Sequence, residues 1–233
     1  MTSSADIRAQ LSHPVIDADG HWLEPVPIFL DFLETEGGSA MADRFRENKK
    51  REDAWYGLST EERLARRLRR PTWGGEPANT RDRASAMIPG LMYERLDEFG
   101  VDFAVGYTTL GLVQGSIPDD ELRPIICRAL NKMNAELFAP FADRLTPVAT
   151  IPMHTPGEAI AELHHVVGEL GMKAIMIANH VRRPLDSGGS QNTGGYYPSG
   201  GYYIDSLAME SPHDYDPFWQ ACIDHKVAVT AHS

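Results

Sequence analysis

The order of segments predicts an α/β fold built on a parallel sheet. Three observations carry the expectation. Five short β-like runs recur, at 15–21, 103–109, 145–152, 173–178 and 227–232. Most are apolar over several successive residues, as strands buried on both faces are. Between them lie stretches with apolar residues at helical spacing and with identifiable ends.

Taken in order, the first run reads VIDADGHWLEP with its flank, residues 15–25, and carries acids and a histidine at alternate positions. Residues 23–79 are too long for a simple connection and hold a charged helix around 60–70. The first clear helix spans 82–99, with Met87, Leu91, Leu96 and Phe99 near helical spacing and Gly100 as its stop. The next, over 119–142, sets Leu122, Ile125, Ile126, Leu130, Met133 and Leu137 on one stripe. The third is the best marked: Thr155 is its N-cap, Pro156 its first residue and Glu158 its capping-box partner, and Gly171 ends it. Residues 181–212 are rich in Gly, Ser, Tyr and Pro and include the near-duplication GGYYPSGGYY. So long a loop reads as a lid or binding segment, and Tyr196, Tyr197, Tyr202 and Tyr203 suit a planar ligand or simple packing. A fourth helix runs over about 216–225. Both long segments follow strands, on the carboxyl-end face where such folds place their sites.

With 233 residues, the chain is long enough for one large core. Its net charge of −11 and the lack of a basic stripe exclude a nucleic-acid surface. The densest basic stretch, 49–70, is interleaved with acids and reads as a solvated helix. Cys127 and Cys222 lie in apolar helical patterns, as buried structural thiols do. Two cysteines make no disulfide framework, so the cytoplasm is the expected compartment. The start, MTSSADIRAQ, lacks a signal peptide's apolar core, and no apolar run approaches a membrane span.

The chemistry is concentrated at the two ends. Side chains alternate along a strand, so Asp17, Asp19 and His21 are expected on one face. A buried carboxylate needs a partner, and a cation is a good one; a wet, hydrogen-bonded strand end reads equally well from this string alone. The run VAVTAHS then delivers His232 at the carboxyl end of the last strand. Two strands that each present ligand-type residues at the same face make a metal site the stronger reading. Asp19, His21 and His232 offer oxygen and imidazole donors suited to zinc, with positions left for water or substrate.

The sequence resembles the amidohydrolase family 2 proteins, the amidohydrolase branch that includes aminocarboxymuconate-semialdehyde decarboxylase. The resemblance rests on Asp17-Ala-Asp19-Gly-His21-Trp-Leu-Glu24-Pro25, on RLDEFGVDFAVGYTT at 95–109, on the AELFAPFADRLTPVATIPM stretch ending at Met153, on EAIAELHHVVGELGMKAIMI at 158–177, and on His232. It implies a (β/α)8 barrel of the metal-dependent hydrolase type. It also implies one divalent metal ion, zinc first and manganese second, on Asp19, His21 and His232. Asp17 falls beside the ligand pair and would support it. Glu24 would orient a ligand or cap the following loop, with capping favoured. His154 and His180, at the ends of strands 3 and 4, would line the pocket or stand as ordinary polar loop residues. Lys173 lies at the wrong end of its strand to bridge two metals, which favours a mononuclear site. A homodimer and a small-molecule substrate are the expected partners.

A full barrel has eight strands, and five are legible here. The chain is therefore expected to be the N-terminal portion of one barrel domain, truncated after strand 5, with an insertion over about 23–79 and a lid-like loop over about 181–212. The family's later histidine and its acid/base aspartate would lie beyond residue 233, so the fragment alone is expected to be inactive. For the whole enzyme, decarboxylation of an aromatic or unsaturated carboxylic acid and hydrolysis are the two expected reactions. The competing expectation is a metal- or partner-binding domain without catalysis.

Overall fold

A computed structural model describes residues 2–53, 58–65, 79–185 and 201–232. Five parallel strand positions follow one another in chain order. β1 (Ile16–Trp22) pairs with β2 (Phe103–Thr108), which pairs with β3 (Leu145–Pro147). Only Val148 separates β3 from β4 (Ala149–Thr150), and its amide donates to the Gly106 carbonyl at 3.0 Å. β4 then pairs with β5 (Ala174–Ile177). Val181–Pro184 (β6) and Tyr202–Asp205 (β7) form a separate antiparallel hairpin, and β8 (Ala228–Ala231) pairs with β5.

Two helical layers cover one side of the sheet. Under β1–β3 lie α2 (Val26–Asp53) and α7 (Leu122–Phe138), which bury Phe29, Leu33 and Phe45 against Ile126, Leu130 and Met133. Under β4, β5 and β8 lie α8 (Pro156–His164) and α9 (Asp216–His225), which bury Leu163, Phe218 and Cys222 against Ile151, Ile175 and Ile177. The opposite, concave face carries a smaller cluster of Tyr107, Val148 and Met176.

Several expected elements are divided, each for a local reason. The helix predicted over 82–99 is two, α4 (Thr80–Ser85) and α5 (Pro89–Phe99), because Pro89 lacks the amide that a continuous helix needs and starts a new one. The helix predicted over 119–142 starts at Leu122, whose amide is capped by Asp119 Oδ1 at 3.0 Å, and tightens to a 3-10 turn at Pro140. The strand break at Val148 is repaired from a helix. Asn131 of α7 accepts from the Thr150 amide at 2.8 Å and donates to the Thr150 carbonyl at 2.9 Å, so a side chain takes the place of a neighbouring strand. Thr155 and Glu158 form the predicted capping box.

Other elements had no counterpart in the sequence reading. The segment 23–79 holds the long helix α2, bent where Gly38 takes φ 77°. Its charged helix is α3 (Thr60–Ala65), with residues 66–70 outside the described residues. The lid-like stretch 181–212 contains the β6–β7 hairpin. Two short helices, α1 (Ser4–Arg8) and α6 (Thr109–Gln114), were also unforeseen. Arg8 ties α1 to Asp102 through Nε and Nη2, and the same carboxylate accepts from the Val15 amide at 2.6 Å. Cys127 and Cys222 are both buried, as expected, and burial raises both thiol pKa values. Among the described residues no helix is long and apolar enough to cross a membrane.

Candidate metal centre

The three expected ligands meet at the carboxyl ends of the strands. His21 Nε2 stands 3.0 Å from His232 Nε2, and His232 Nε2 stands 3.2 Å from Asp19 Oδ1. The third side is longer, 3.9 Å from His21 Nε2 to Asp19 Oδ1. All three ligand-type atoms lie within 4.8 Å of one another. Two donors bound at about 2.0–2.1 Å in a tetrahedron stand about 3.3 Å apart, so the two shorter sides fit a common ion. The longer side involves the Asp19 side chain, which is 78% exposed.

Register explains why these side chains converge. In a parallel ladder, partnered residues point the same way. His21 partners Tyr107, and Met176 partners Thr230, whose neighbour but one is His232. Tyr107 and Met176 belong to the concave-face cluster, so both histidines face it too. The Tyr107 ring lies 5.9 Å from the His21 ring and 5.2 Å from the His232 ring. The His232 amide donates to the Ile177 carbonyl at 3.0 Å and extends the ladder to the ligand itself. On the other face Trp22 packs edge-on against Phe138 at 5.1 Å, and its carbonyl accepts from Thr109 Oγ1 at 2.8 Å. These contacts hold the strand end that presents His21.

One expectation is corrected here. Asp17, Asp19 and His21 do not share a face. Four residues of β1, from Asp17 to Gly20, span three of β2, from Ala104 to Gly106. This β-bulge adds one residue and inverts the alternation upstream of it. Asp17 therefore shares the side of Ala104 and Trp22, under the helices. Its Oδ1 accepts from the Asp19 amide at 3.2 Å, so it holds the ligand's backbone.

Burial is the first cause that lowers the His21 pKa, and the neighbouring His232 is the second; Asp19 and Asp17 oppose them. The result favours the neutral imidazole, the form that binds metals. Glu24 sits just past β1, 7% exposed, where its Oε2 accepts from the Leu110 amide of α6 at 2.9 Å. Desolvation raises its pKa to about 7, against backbone and Thr108 hydrogen bonds that lower it. Its structure is that of a helix cap. Gly111 of α6 and Gly115, which caps its carboxyl end, line a small cleft with Thr150, Met176, Ala178 and His232.

The remaining candidates lie elsewhere. His154 is buried, its carbonyl accepts from Arg183 Nη1 at 2.7 Å, and burial followed by Arg123 and Arg183 pushes its pKa down to about 4. The half-buried His180 hydrogen-bonds its neighbour Asn179. Tyr202 stacks under Arg182 at 5.1 Å, while Tyr196 and Tyr197 fall outside the described residues. Tyr107 escaped the sequence reading, although it is the one aromatic with a polar group in FAVGYT. A cavity of about 220 Å³, lined by Trp22, Met92, Phe99, Phe138 and Leu145, opens among the helix-side residues.

A strand order that follows the chain, helices on one side and ligands at the carboxyl ends define a (β/α)8-barrel type of fold. The chain belongs to the amidohydrolase family, whose model matches residues 16–233. Solved structures of similar fold include a dihydroxybenzoic acid decarboxylase from Polaromonas sp. JS666 with bound manganese and 2-nitroresorcinol. It is 17% identical with a TM-score of 0.54, over 94% of this chain and 49% of that one. A 5-carboxyvanillate decarboxylase from Novosphingobium aromaticivorans DSM 12444, complexed with manganese and a nitrobenzoic acid, is 15% identical with a TM-score of 0.53, over 96% and 51%. Its namesake from Sphingomonas paucimobilis is 16% identical with a TM-score of 0.53, over 95% and 52%. The chain thus spans about half the length of these proteins.

Proposed function

We propose that the chain is part of a metal-dependent decarboxylase of a hydroxylated aromatic carboxylic acid, with Asp19, His21 and His232 holding one divalent ion. The convergence of those three side chains carries the reading. An N₂O donor set suits manganese and zinc alike. Manganese is the first ion to test, since similar folds are described with it. The same structures are named as aromatic acid decarboxylases, which favours loss of carbon dioxide over hydrolysis.

A bound divalent ion would polarise the substrate's oxygens and draw off negative charge as the carboxyl group leaves. The protein does the rest. The two imidazoles supply neutral donors, and Asp19 supplies one balancing charge. Asp17 fixes the Asp19 backbone from the other face of β1. Tyr107 flanks both imidazole rings, and Glu24 anchors α6 as one wall of the cleft beside His232. The aspartate that would move the proton is assigned to the part of the barrel this chain does not span.

The metal is tested on this chain. After loading with Mn2+, about one ion per chain is expected, and His21→Ala or His232→Ala should each strip most of it. Unchanged content in both variants would overturn the ligand set. The reaction is tested on the complete protein with a panel of hydroxybenzoates. Release of carbon dioxide supports the proposal, and hydrolysis of esters or amides without it transfers the site to a hydrolase.

A further inference from the structure

The helices α8 and α9 run along the outer side of the sheet, away from the metal centre. α8 reaches His164, from which the chain continues as a π-helical turn (His165–Glu169), and α9 ends on His225. Their side chains meet: His164 Nδ1 stands 2.8 Å from His225 Nε2, with ring centroids 5.0 Å apart and planes at 65°. His164 is exposed and His225 half-buried. We propose that this pair is a second metal site, on the surface, selective for Cu2+, Ni2+ or Zn2+.

Three features support it. Two imidazole nitrogens from separate elements approach as closely as His21 and His232 do, at 3.0 Å. The chelate is preorganised, because Leu163, next to His164 on α8, and Cys222, one turn before His225 on α9, are buried in one cluster. His225 also lies in the last turn of α9, where the partial negative charge of the helix end favours a cation. The pair offers nitrogen alone. Imidazole suits copper, nickel and zinc, whereas manganese and magnesium prefer carboxylate oxygen. The two sites should therefore differ in selectivity: Mn2+ loads Asp19, His21 and His232, while Cu2+ loads both.

The test is a Cu2+ titration of the chain in a non-coordinating buffer, followed by nitrogen hyperfine structure in electron paramagnetic resonance. About two Cu2+ per chain are expected, and one after His164→Ala with His225→Ala. Either single substitution should weaken the surface site by about 10²-fold, the loss of a tethered second donor. Circular dichroism checks that these surface variants fold. A His21→Ala, His232→Ala background isolates the pair: there Ni2+ should raise Tm, and adding the His164 and His225 substitutions should abolish the rise. The same copper stoichiometry and spectrum with and without His164 and His225 would overturn the proposal. Failure of the centre at His21 would leave the surface copper in place, so the two readings fail separately.

Discussion

Replacing Glu24 with glutamine removes a buried carboxyl group and keeps its shape. Burial holds the Glu24 pKa at about 7 in the folded protein, against an ordinary value of 4.5. That displacement corresponds to about 3 kcal/mol. Below about pH 4.5 the carboxyl is protonated in both states and costs nothing. As pH rises toward about 7, the unfolded chain gives up its proton while the folded one keeps it, so stability falls. Above about 7 both states are ionised and the loss levels off. Glu24→Gln has no such proton to lose. Urea unfolding of both proteins from about pH 5 to about pH 8 should show wild type losing up to about 3 kcal/mol more than the variant. Every other titrating group is common to the two and cancels. Identical pH slopes would show that Glu24 is not held neutral by burial, and would refute the reasoning.

Other outcomes follow from single contacts. A methyl group on Gly111 would stand 1.8 Å from Thr108 Oγ1 and 2.3 Å from Thr150 Oγ1, so Gly111→Ala should lower stability by about 1–3 kcal/mol by overpacking, read from urea midpoints. Thr108→Ala in the same chain should recover part of that. Asn131 is fully buried, and Asn131→Ala leaves the Thr150 amide and carbonyl without their side-chain partner; a loss of about 2–4 kcal/mol is expected in the same assay. Asp17→Ala should weaken Mn2+ binding by about tenfold without abolishing it, measured by calorimetric titration, because Asp17 touches only the backbone of the ligand beside it.

The parts legible in the sequence were those with local causes. The third helix declared its start in its own residues, and Thr155 and Glu158 cap it as read. Its far end was less plain, since α8 passes at His165 into a π-helical turn to Glu169 and only then reaches Gly171 at φ 67°. The five strands were recognisable as short apolar runs, although burial accounts only for the inner ones: β4 and β5 are largely buried, whereas β1 and β8 are mostly exposed or half-buried. Asp19, His21 and His232 could be paired only because ligand-type residues closed two such runs. Pro89 was in plain view, yet the apolar spacing on either side of it outweighed the missing amide. The bulge in β1 had no local mark, since it exists only relative to β2. Tyr107 was unread for a similar reason: its significance lies in two rings contributed by strands far away in sequence. The Glu24 carboxyl looked like a ligand or a cap until α6 placed its amides over it.

The bulge also divides β1 into two mechanically separate lengths. Downstream of it, Gly20, His21 and Trp22 take their orientation from Gly106, Tyr107 and Thr108. Upstream, Ile16 and Asp17 take theirs from Phe103 and Ala104. A residue gained or lost before Ala18 can be absorbed at this joint without rotating the imidazole. The ligand strand is thereby insulated from changes at the amino-terminal end of the chain, as a slip coupling isolates a shaft.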